Sequence, residues 1–336
     1  MTDTRIAATR ITVIGGGAFG TALACVARRN GADTVLWARA PAIVDAINRG
    51  EGNPDYLPGV ALEPGISATT DIEVAITHAD AVLLVTPAQY MRGIVQSFVA
   101  TLSPDTPLVI CAKGVERGAN LLMSEVLAEI TPHNPVAVLS GPTFAIEVAR
   151  RLPTAVTLAA RDAKLAERLA SMIGSPIFRP YVSSDLIGAE ICGAVKNVLA
   201  IACGILQGRN LGDNARAALI TRGVAEIARL GAAKGAHPAT IMGLSGLGDL
   251  TLTCNALQSR NFSLGVALGE GQALDAILQS RRSVAEGVAS AESVVALARS
   301  LGVEMPICAA VNRIVTEGGD IDETIAGLLS RPFRAE

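Results

Sequence analysis

The stretch Ile11–Gly20, ITVIGGGAFG, decides the fold. A short apolar run leads into three glycines spaced as G-x-G-x-x-G, and a helical pattern follows over Ala18–Asn30. In such a loop Gly15 allows a tight turn, Gly17 lets the backbone approach a diphosphate, and Gly20 lets the helix pack against the strand. An ordinary glycine turn fits the spacing alone. The strand before the glycines and the helix after them favour a dinucleotide-binding loop.

The first half of the chain alternates short apolar runs with amphipathic segments of helical length. The runs are rich in valine and isoleucine and end in glycine, proline or polar residues: ITVIG, DTVLW, AVLLVT, PLVICA and VAVLSG. Between them we predict helices, among them Ala18–Asn30, Met91–Ala100 and Ala119–Ile130. Strands that are apolar on both faces and alternate with helices are typical of a parallel sheet covered by helices.

The composition changes near Ser183–Asp185. Beyond it β-type runs almost vanish, and Ala/Leu/Ile patterns of helical length dominate. Serine and aspartate are also good helix N-caps, so a helix is predicted to begin there. We therefore predict an α/β protein, with a Rossmann-like dinucleotide-binding domain over residues 1–185 and an all-α domain over residues 186–336.

Composition excludes several classes of function. The 336 residues carry a formal net charge of −3, which gives no overall attraction to nucleic acid or to an anionic membrane. The six cysteines form no C-x-x-C pair, as expected of reduced core thiols in a cytoplasmic protein, and three scattered histidines do not favour a metal site. Leu186–Leu206 is long enough to cross a membrane, but Glu190 and Lys196 interrupt it. We therefore predict a buried helix and no membrane insertion.

The second predicted strand ends in TVLWARA, where Arg39 stands and no acidic residue is present. NAD-selective loops of this kind carry an acidic residue about twenty positions after the glycines, where it bonds the ribose hydroxyl. A carboxylate would repel the 2′-phosphate of NADP, whereas a guanidinium can bind it. The sequence therefore predicts that NADP(H) is accepted and preferred over NAD(H). A solvated surface charge is the other interpretation of Arg39.

Lys196 lies within GAEICGAVKNVLAIACGIL, which reads as a buried helix. Burying an ammonium group costs several kcal/mol unless a partner compensates. Burial also lowers the pKa of a lysine toward the range in which it can exchange a proton. Lys196 is thus a candidate acid–base group, and a side chain that extends to solvent is the alternative.

Further motifs occur in a fixed order along the chain. They are YLPG (Tyr56–Gly59), AKGVE (Ala112–Glu116), SGPTFA (Ser140–Ala145), GAVKN (Gly193–Asn197), GDNARAALITRG (212–223), GLGDL (Gly246–Leu250), SRN (Ser259–Asn261) and AEG (Ala285–Gly287). With the glycine loop, this set resembles the bacterial-type NAD(P)-dependent sn-glycerol-3-phosphate dehydrogenases over nearly the whole chain. Two stretches depart from the pattern. Ala18 and Phe19 replace the Ser and Trp of GSWGTA, and Ala256 and Leu257 fall within an otherwise matching TCxSPxSRN.

The resemblance implies interconversion of dihydroxyacetone phosphate and sn-glycerol 3-phosphate with NADP(H) or NAD(H), in the cytoplasm, for phospholipid synthesis. It assigns Lys196 as the catalytic proton donor and acceptor, and makes the helical domain the substrate domain. It implies substrate contacts for Lys113, Gly141, Thr143, Asp249, Ser259, Arg260 and Asn261. It implies cofactor contacts for Gly15, Gly17, Phe19, Gly20, Arg39, Lys113, Ala145, Arg260, Val284 and Glu286. The expected assembly is a homodimer, and the expected partner is a small phosphorylated molecule rather than nucleic acid.

Simpler interpretations of these residues stay open at this point. SRN fits an exposed loop, SGPTFA a strand-to-helix turn, Glu286 a surface charge and Tyr56 a packed turn. Asp213 and Asn214 are predicted to cap a helix. Two other functions also stay open: a related two-domain NADP-dependent reductase of hydroxy acids or acyl thioesters, and an NADP(H)-sensing module without catalysis.

Overall fold

The computed structural model describes residues 9–280 and 286–332. Among these residues, eight strands form one sheet in the order β3-β2-β1-β4-β5-β6-β7-β8. The strands are β1 (Arg10–Ile14), β2 (Asp33–Trp37), β3 (Ile66–Thr69), β4 (Ala81–Leu84), β5 (Leu108–Ile110), β6 (Val136–Ser140), β7 (Thr154–Ala160) and β8 (Phe178–Ser183). The order reverses between β1 and β4, and ligands of open α/β sheets bind in the crevice at such a reversal.

The described helices cover the sheet and then form the second half of the chain. They are α1 (Ala18–Arg29), α2 (Pro41–Asn48), α3 (Ile72–Ile76), α4 (Met91–Gln96), α5 (Met123–Ile130), α6 (Ala145–Ala149), α7 (Ala163–Ile173), α8 (Leu186–Gly208), α9 (Gly212–Lys234), α10 (Pro238–Ile241), α11 (Asp249–Asn255), α12 (Arg260–Gly269), α13 (Leu274–Gln279), α14 (Glu286–Ser300), α15 (Pro306–Glu317) and α16 (Ile321–Leu329). Short 3₁₀ turns span Ala88–Tyr90 and Val99–Thr101, and a π-helical turn spans Leu244–Gly248.

The apolar run of strand β4 is continuous because both faces of the strand are buried. Ala81 and Leu83 face one hydrophobic core, whereas Val82 and Leu84 face another. A strand whose two faces both meet helices buries every side chain, so the polar alternation of a half-exposed strand is absent. The Rossmann-like architecture predicted for the first half is therefore confirmed.

The long helix α8 is the centre of the second half and its core. Asp185 caps it by accepting a hydrogen bond from the Gly188 amide. Helix α12 packs on it backbone to backbone: a Cβ at Gly204 would lie 2.1 Å from the Phe262 oxygen. By length and composition α8 passes as a membrane span, yet 94% of its most apolar window is buried in the protein. It is the core helix of the all-α half.

Some predicted details are wrong. β7 runs antiparallel to β6, so the sheet is not wholly parallel. The helix predicted over Met91–Ala100 ends at Gln96 and gives way to a 3₁₀ turn, and the one predicted over Ala119–Ile130 begins at Met123, because Val115 and Leu122 form a β-bridge first. Asp213 does not cap α9: it lies inside the first turn and pairs with Arg216. The boundary between residues 185 and 186 stays a prediction.

Candidate functional site

The glycine loop forms a close-packed turn at the carboxyl end of β1. Gly15 has φ +131°, and a Cβ there would lie 2.6 Å from the Val85 oxygen. A Cβ at Gly20 would lie 1.8 Å from the Gly15 oxygen, so only glycine lets α1 start this near the strand. A Cβ at Gly17, in contrast, would meet no atom within 4 Å. The loop therefore keeps open space at the N-terminus of α1, where backbone amides can receive an anion.

Two predicted cofactor residues border this loop. Phe19 is half-buried in the first turn of α1 and packs on the core. Arg39 is exposed just beyond β2. The end of β2 is close to the loop, because a Cβ at Gly16 would lie 2.4 Å from the Ala38 Cβ. Arg39 thus stands at the edge of the loop rather than within it.

A cluster of charges lies where α8, α11 and the loop after β5 meet. The Lys196 Nζ donates to Asp249 Oδ1 at 2.6 Å, and the Lys113 Nζ donates to Asp249 Oδ2 at 2.6 Å. Asp249 is 1% exposed and Lys196 6%. One buried carboxylate therefore holds two ammonium groups, and Lys196 does not extend to solvent. We call Lys113, Lys196 and Asp249 the lysine–aspartate cluster.

Lys196 is tuned by this environment. Burial lowers the pKa of Lys196 to about 8; the Asp249 carboxylate opposes that shift, and the neighbouring Lys113 ammonium adds to it. A lysine that titrates near neutral pH can both donate and accept a proton. Of the described residues, this lysine is the one that combines deep burial, a carboxylate partner and a lowered pKa.

The loop after β5 and the loop after β6 complete one wall of the cluster. The Lys113 Nζ also donates to the Gly141 oxygen at 3.1 Å, and the Thr143 hydroxyl donates to the same oxygen at 3.1 Å. A Cβ at Gly193 would lie 3.2 Å from the Lys113 Cγ, so the glycine in α8 leaves room for the lysine. The structure thus brings Lys113, Gly141 and Thr143 to one point.

The SRN segment begins α12 beside this wall. Ser259 caps the helix, its hydroxyl accepting from the Phe262 amide at 3.2 Å. Arg260 is exposed at the first helical position, and Asn261 Oδ1 accepts from the Gly287 amide at 3.0 Å. Gly287 in turn lies against Asn197, because a Cβ there would be 2.7 Å from the Asn197 oxygen. Through Gly287, the amide-rich start of α12 therefore lies close to Asn197, the residue that follows Lys196.

Glu286 joins the two halves of the chain. Its half-buried carboxylate accepts from the Ala88 amide, next to the end of β4. Burial raises the pKa of Glu286, while the charges of Arg260 and Lys113 oppose the rise. Glu286 is thus not a solvated surface charge. Val284 lies outside the described residues, and Ala145 begins α6 after the Gly141 turn.

Comparison with known proteins shows the family of the chain. Residues 10–166 match the family model for the N-terminus of NAD-dependent glycerol-3-phosphate dehydrogenase, and residues 185–326 match the model for its C-terminus. The chain belongs to this family.

Relatives of this dehydrogenase cover it almost completely. It is 58% identical to glycerol-3-phosphate dehydrogenase [NAD(P)+] of Parvibaculum lavamentivorans over 97% of this chain and 98% of the relative. It is 57% identical to the enzyme of the same name from Rhodospirillum rubrum, over 97% of this chain and 93% of the relative. The crystal structure of glycerol-3-phosphate dehydrogenase from Coxiella burnetii superposes with a TM-score of 0.93 at 38% identity, over 96% and 99% of the two chains.

More distant structures share only the fold with this dehydrogenase. A D-mandelate dehydrogenase superposes with a TM-score of 0.64 at 14% identity, over 94% of this chain and 100% of that one. A ketopantoate reductase from Ralstonia eutropha superposes with a TM-score of 0.60 at 17% identity, again over 94% of this chain and 100% of that one. The interpretation as a related hydroxy-acid reductase therefore has no support beyond architecture.

Two polar residues that contact the cluster, Thr253 and Asn197, were not predicted. The Lys196 Nζ donates to the Thr253 hydroxyl at 3.0 Å, and Thr253 donates to the Asp249 carbonyl one helical turn earlier at 2.6 Å. Asn197 Nδ2 donates to the Lys113 oxygen at 3.3 Å. The four-residue spacing from Asp249 to Thr253 was a usable signal, because such a pair shares one helix face. Asn197 had two signals: its place in GAVKN and its adjacency to Lys196.

Proposed function

We propose that this dehydrogenase interconverts dihydroxyacetone phosphate plus NAD(P)H with sn-glycerol 3-phosphate plus NAD(P)+. The observation that carries the proposal is the buried Lys196 ammonium, 2.6 Å from the Asp249 carboxylate, in a chain of this family. A non-catalytic sensing module would give no reason to bury this pair. Removing water from two charges costs free energy. In a reaction, however, a buried ammonium stabilises negative charge that develops nearby.

The glycine loop fits a dinucleotide. Gly15 and Gly20 occupy positions that a Cβ would fill, and the space at Gly17 is open. We assign the loop to the diphosphate, with Phe19, Lys113, Ala145, Arg260, Val284 and Glu286 as further cofactor contacts. When bound, the nicotinamide supplies hydride to the substrate carbon or accepts hydride from it. Arg39 at the loop edge can bind a 2′-phosphate, so we propose NADP(H) as the preferred cofactor and NAD(H) as the second.

Lys196 handles the proton of the reaction. As the ketone becomes an alcohol, its oxygen gains negative charge, which a buried ammonium stabilises. Lys196 then donates a proton to that oxygen, and in the opposite direction it accepts the proton of the alcohol. Asp249 orients the ammonium, because its two oxygens are each bonded to a lysine.

The phosphate of the substrate needs a second set of donors. We assign it to the N-terminus of α12, where Ser259, Arg260 and Asn261 combine a planar guanidinium with helix amides. Lys113 adds positive charge from the adjacent wall, and Gly141 and Thr143 line the three-carbon chain. A dianion that is clamped at α12 would present its ketone toward Lys196.

We also propose the cellular context. The glycerol phosphate formed by reduction would supply phospholipid synthesis. We place the enzyme in the cytoplasm, since all six cysteines are buried and free and α8 is a core helix. We also propose a homodimer, as the resemblance implies. A small phosphorylated substrate is its partner.

Anaerobic mixing of the purified protein, NADPH and dihydroxyacetone phosphate tests the function directly. We expect a fall in the absorbance of the reduced nicotinamide, with glycerol 3-phosphate as the product. A panel with ketopantoate and other 2-keto acids is the control. Oxidation of NADPH with a 2-keto acid but not with the phosphorylated ketone would overturn the proposal.

A further inference from the structure

Asn53 occupies a position that the proposed mechanism does not use. It lies in the segment before YLPG, yet its side chain is 1% exposed. Its Nδ2 donates to the Gly16 carbonyl at 2.9 Å and to the Thr21 hydroxyl at 2.8 Å. Its Oδ1 accepts from the Tyr56 amide at 3.2 Å. Both hydrogens and one lone pair of the carboxamide are therefore engaged, two of the three bonds with the glycine loop or α1.

The bond to Gly16 fixes the direction of the next amide. In a trans peptide the C=O and the following N–H point in opposite directions. Since the Gly16 carbonyl points to Asn53, the Gly17 N–H points away from it. Gly17 is the N-cap residue of α1, and of the glycines in the loop it is the one with open space around it. Asn53 thus determines which way the loop presents an amide to an anion.

The segment that carries Asn53 is itself held firmly. The Leu57 amide donates to the backbone carbonyl of Asn53 at 2.9 Å, and Leu57 is 2% exposed in the core. The Thr21 hydroxyl, the second acceptor, is completely buried in α1. An anchored carboxamide between a core segment and the start of α1 restrains the glycines, which have the greatest conformational freedom of all residues.

We propose that Asn53 is a positioning residue for the dinucleotide: it holds the Gly16–Gly17 peptide so that the loop binds the diphosphate. This rests on the proposed function only in that a dinucleotide binds the glycine loop. Asn53 acts through the backbone and does not touch the reacting atoms. The segment from Asn53 to Leu57, which leads into YLPG and includes Tyr56, thereby becomes the support of the loop.

The test is Asn53→Asp, an isosteric change that replaces two donors with an anion facing a carbonyl and a hydroxyl. Asn134→Asp is the matched control, because Asn134 Nδ2 also donates two hydrogen bonds, in its case both to backbone carbonyls, at 2.8 and 2.9 Å, before β6. Equilibrium binding of NADPH, of ADP-ribose and of 2′-AMP is measured by calorimetry, without substrate. 2′-AMP lacks the diphosphate and serves as the internal control.

We expect Asn53→Asp to raise the Kd of NADPH and ADP-ribose about tenfold or more, from the cost of charge beside a carbonyl. The Kd of 2′-AMP for Asn53→Asp should stay within twofold of the wild-type value. For Asn134→Asp, the Kd values of NADPH, ADP-ribose and 2′-AMP should all stay within twofold of the wild type. Equal weakening of all three ligands, or equal effects of both variants, would mean general loosening and overturn the proposal. If the variant does not fold, Asn53→Ala replaces it, with a smaller rise expected for the same two ligands. A wild-type chain that binds no NADPH would contradict the proposed function instead.

Discussion

In the proposed function, the glycine loop and the lysine–aspartate cluster both hold anionic groups, but by opposite means. The loop uses backbone amides and missing side chains: a Cβ at Gly20 would lie 1.8 Å from the Gly15 oxygen. The cluster uses two ammonium groups on one buried carboxylate. A backbone site binds without titrating, whereas a buried lysine changes its charge with pH. We therefore propose that diphosphate binding and proton transfer belong to separate parts of the molecule.

The strongest test of this division is Lys196→Ala. We expect the variant to fold and to bind NADPH at the glycine loop, yet to lose about three decades of turnover or more, the combined scale of acid–base and electrostatic terms. Stopped-flow turnover and a separate NADPH titration measure the two parts. Lys164→Ala, at an exposed lysine of α7, is the control. Turnover near that of the wild type would remove Lys196 from the mechanism.

A smaller loss is expected when the substrate clamp is weakened. Arg260→Gln keeps a polar side chain at the start of α12 but removes the charge and the bidentate geometry. We expect the KM for dihydroxyacetone phosphate to rise about thirtyfold, with a much smaller change in the KM for NADPH. Arg299→Gln, in an exposed arginine near the end of α14, should change neither. Equal rises of both KM values for Arg260→Gln would argue against a phosphate clamp.

The difference between the two regions was visible in how well each could be predicted. The glycine loop lies within ten residues, so its spacing and its flanking elements predicted its geometry. The cluster joins residues 113, 196 and 249 from three segments, and no local pattern predicts their contact. The family resemblance implied a role for each of the three residues, but only the folded chain shows that the Asp249 carboxylate accepts hydrogen bonds from both lysines.

Errors in the fold have a similar cause. β7 contains the same small apolar residues as the parallel strands, so its composition does not show that it pairs antiparallel to β6. The late start of α5 results from the bridge between Val115 and Leu122, a contact that helical periodicity cannot predict. Tertiary pairing decided both.

The pH dependence of turnover distinguishes the regions again, with an effect of about tenfold. In the proposed mechanism reduction needs protonated Lys196, whose pKa is lowered by burial to about 8. Its protonated fraction falls from about 0.9 at pH 7 to about 0.1 at pH 9, so the kcat of reduction should fall as pH rises, and that of oxidation should rise. NADPH affinity should change much less over the same range, because the backbone amides of the glycine loop do not titrate. A flat kcat profile for reduction, with chemistry shown to be rate-limiting, would contradict the role of Lys196.

The smallest effect should come from the charged side chain at the edge of the glycine loop. Arg39 is exposed, so solvent screens its attraction for a 2′-phosphate, and Arg39→Asp adds a screened repulsion. We expect the preference for NADPH over NADH, as a ratio of kcat/KM values, to fall about fivefold with the KM for dihydroxyacetone phosphate unchanged. Arg161→Asp, also exposed and directly after a strand, is the matched control. An unchanged ratio would make Arg39 a solvated charge. Cofactor choice would then depend on the loop itself, and the loop would serve both to bind the diphosphate and to select the ribose.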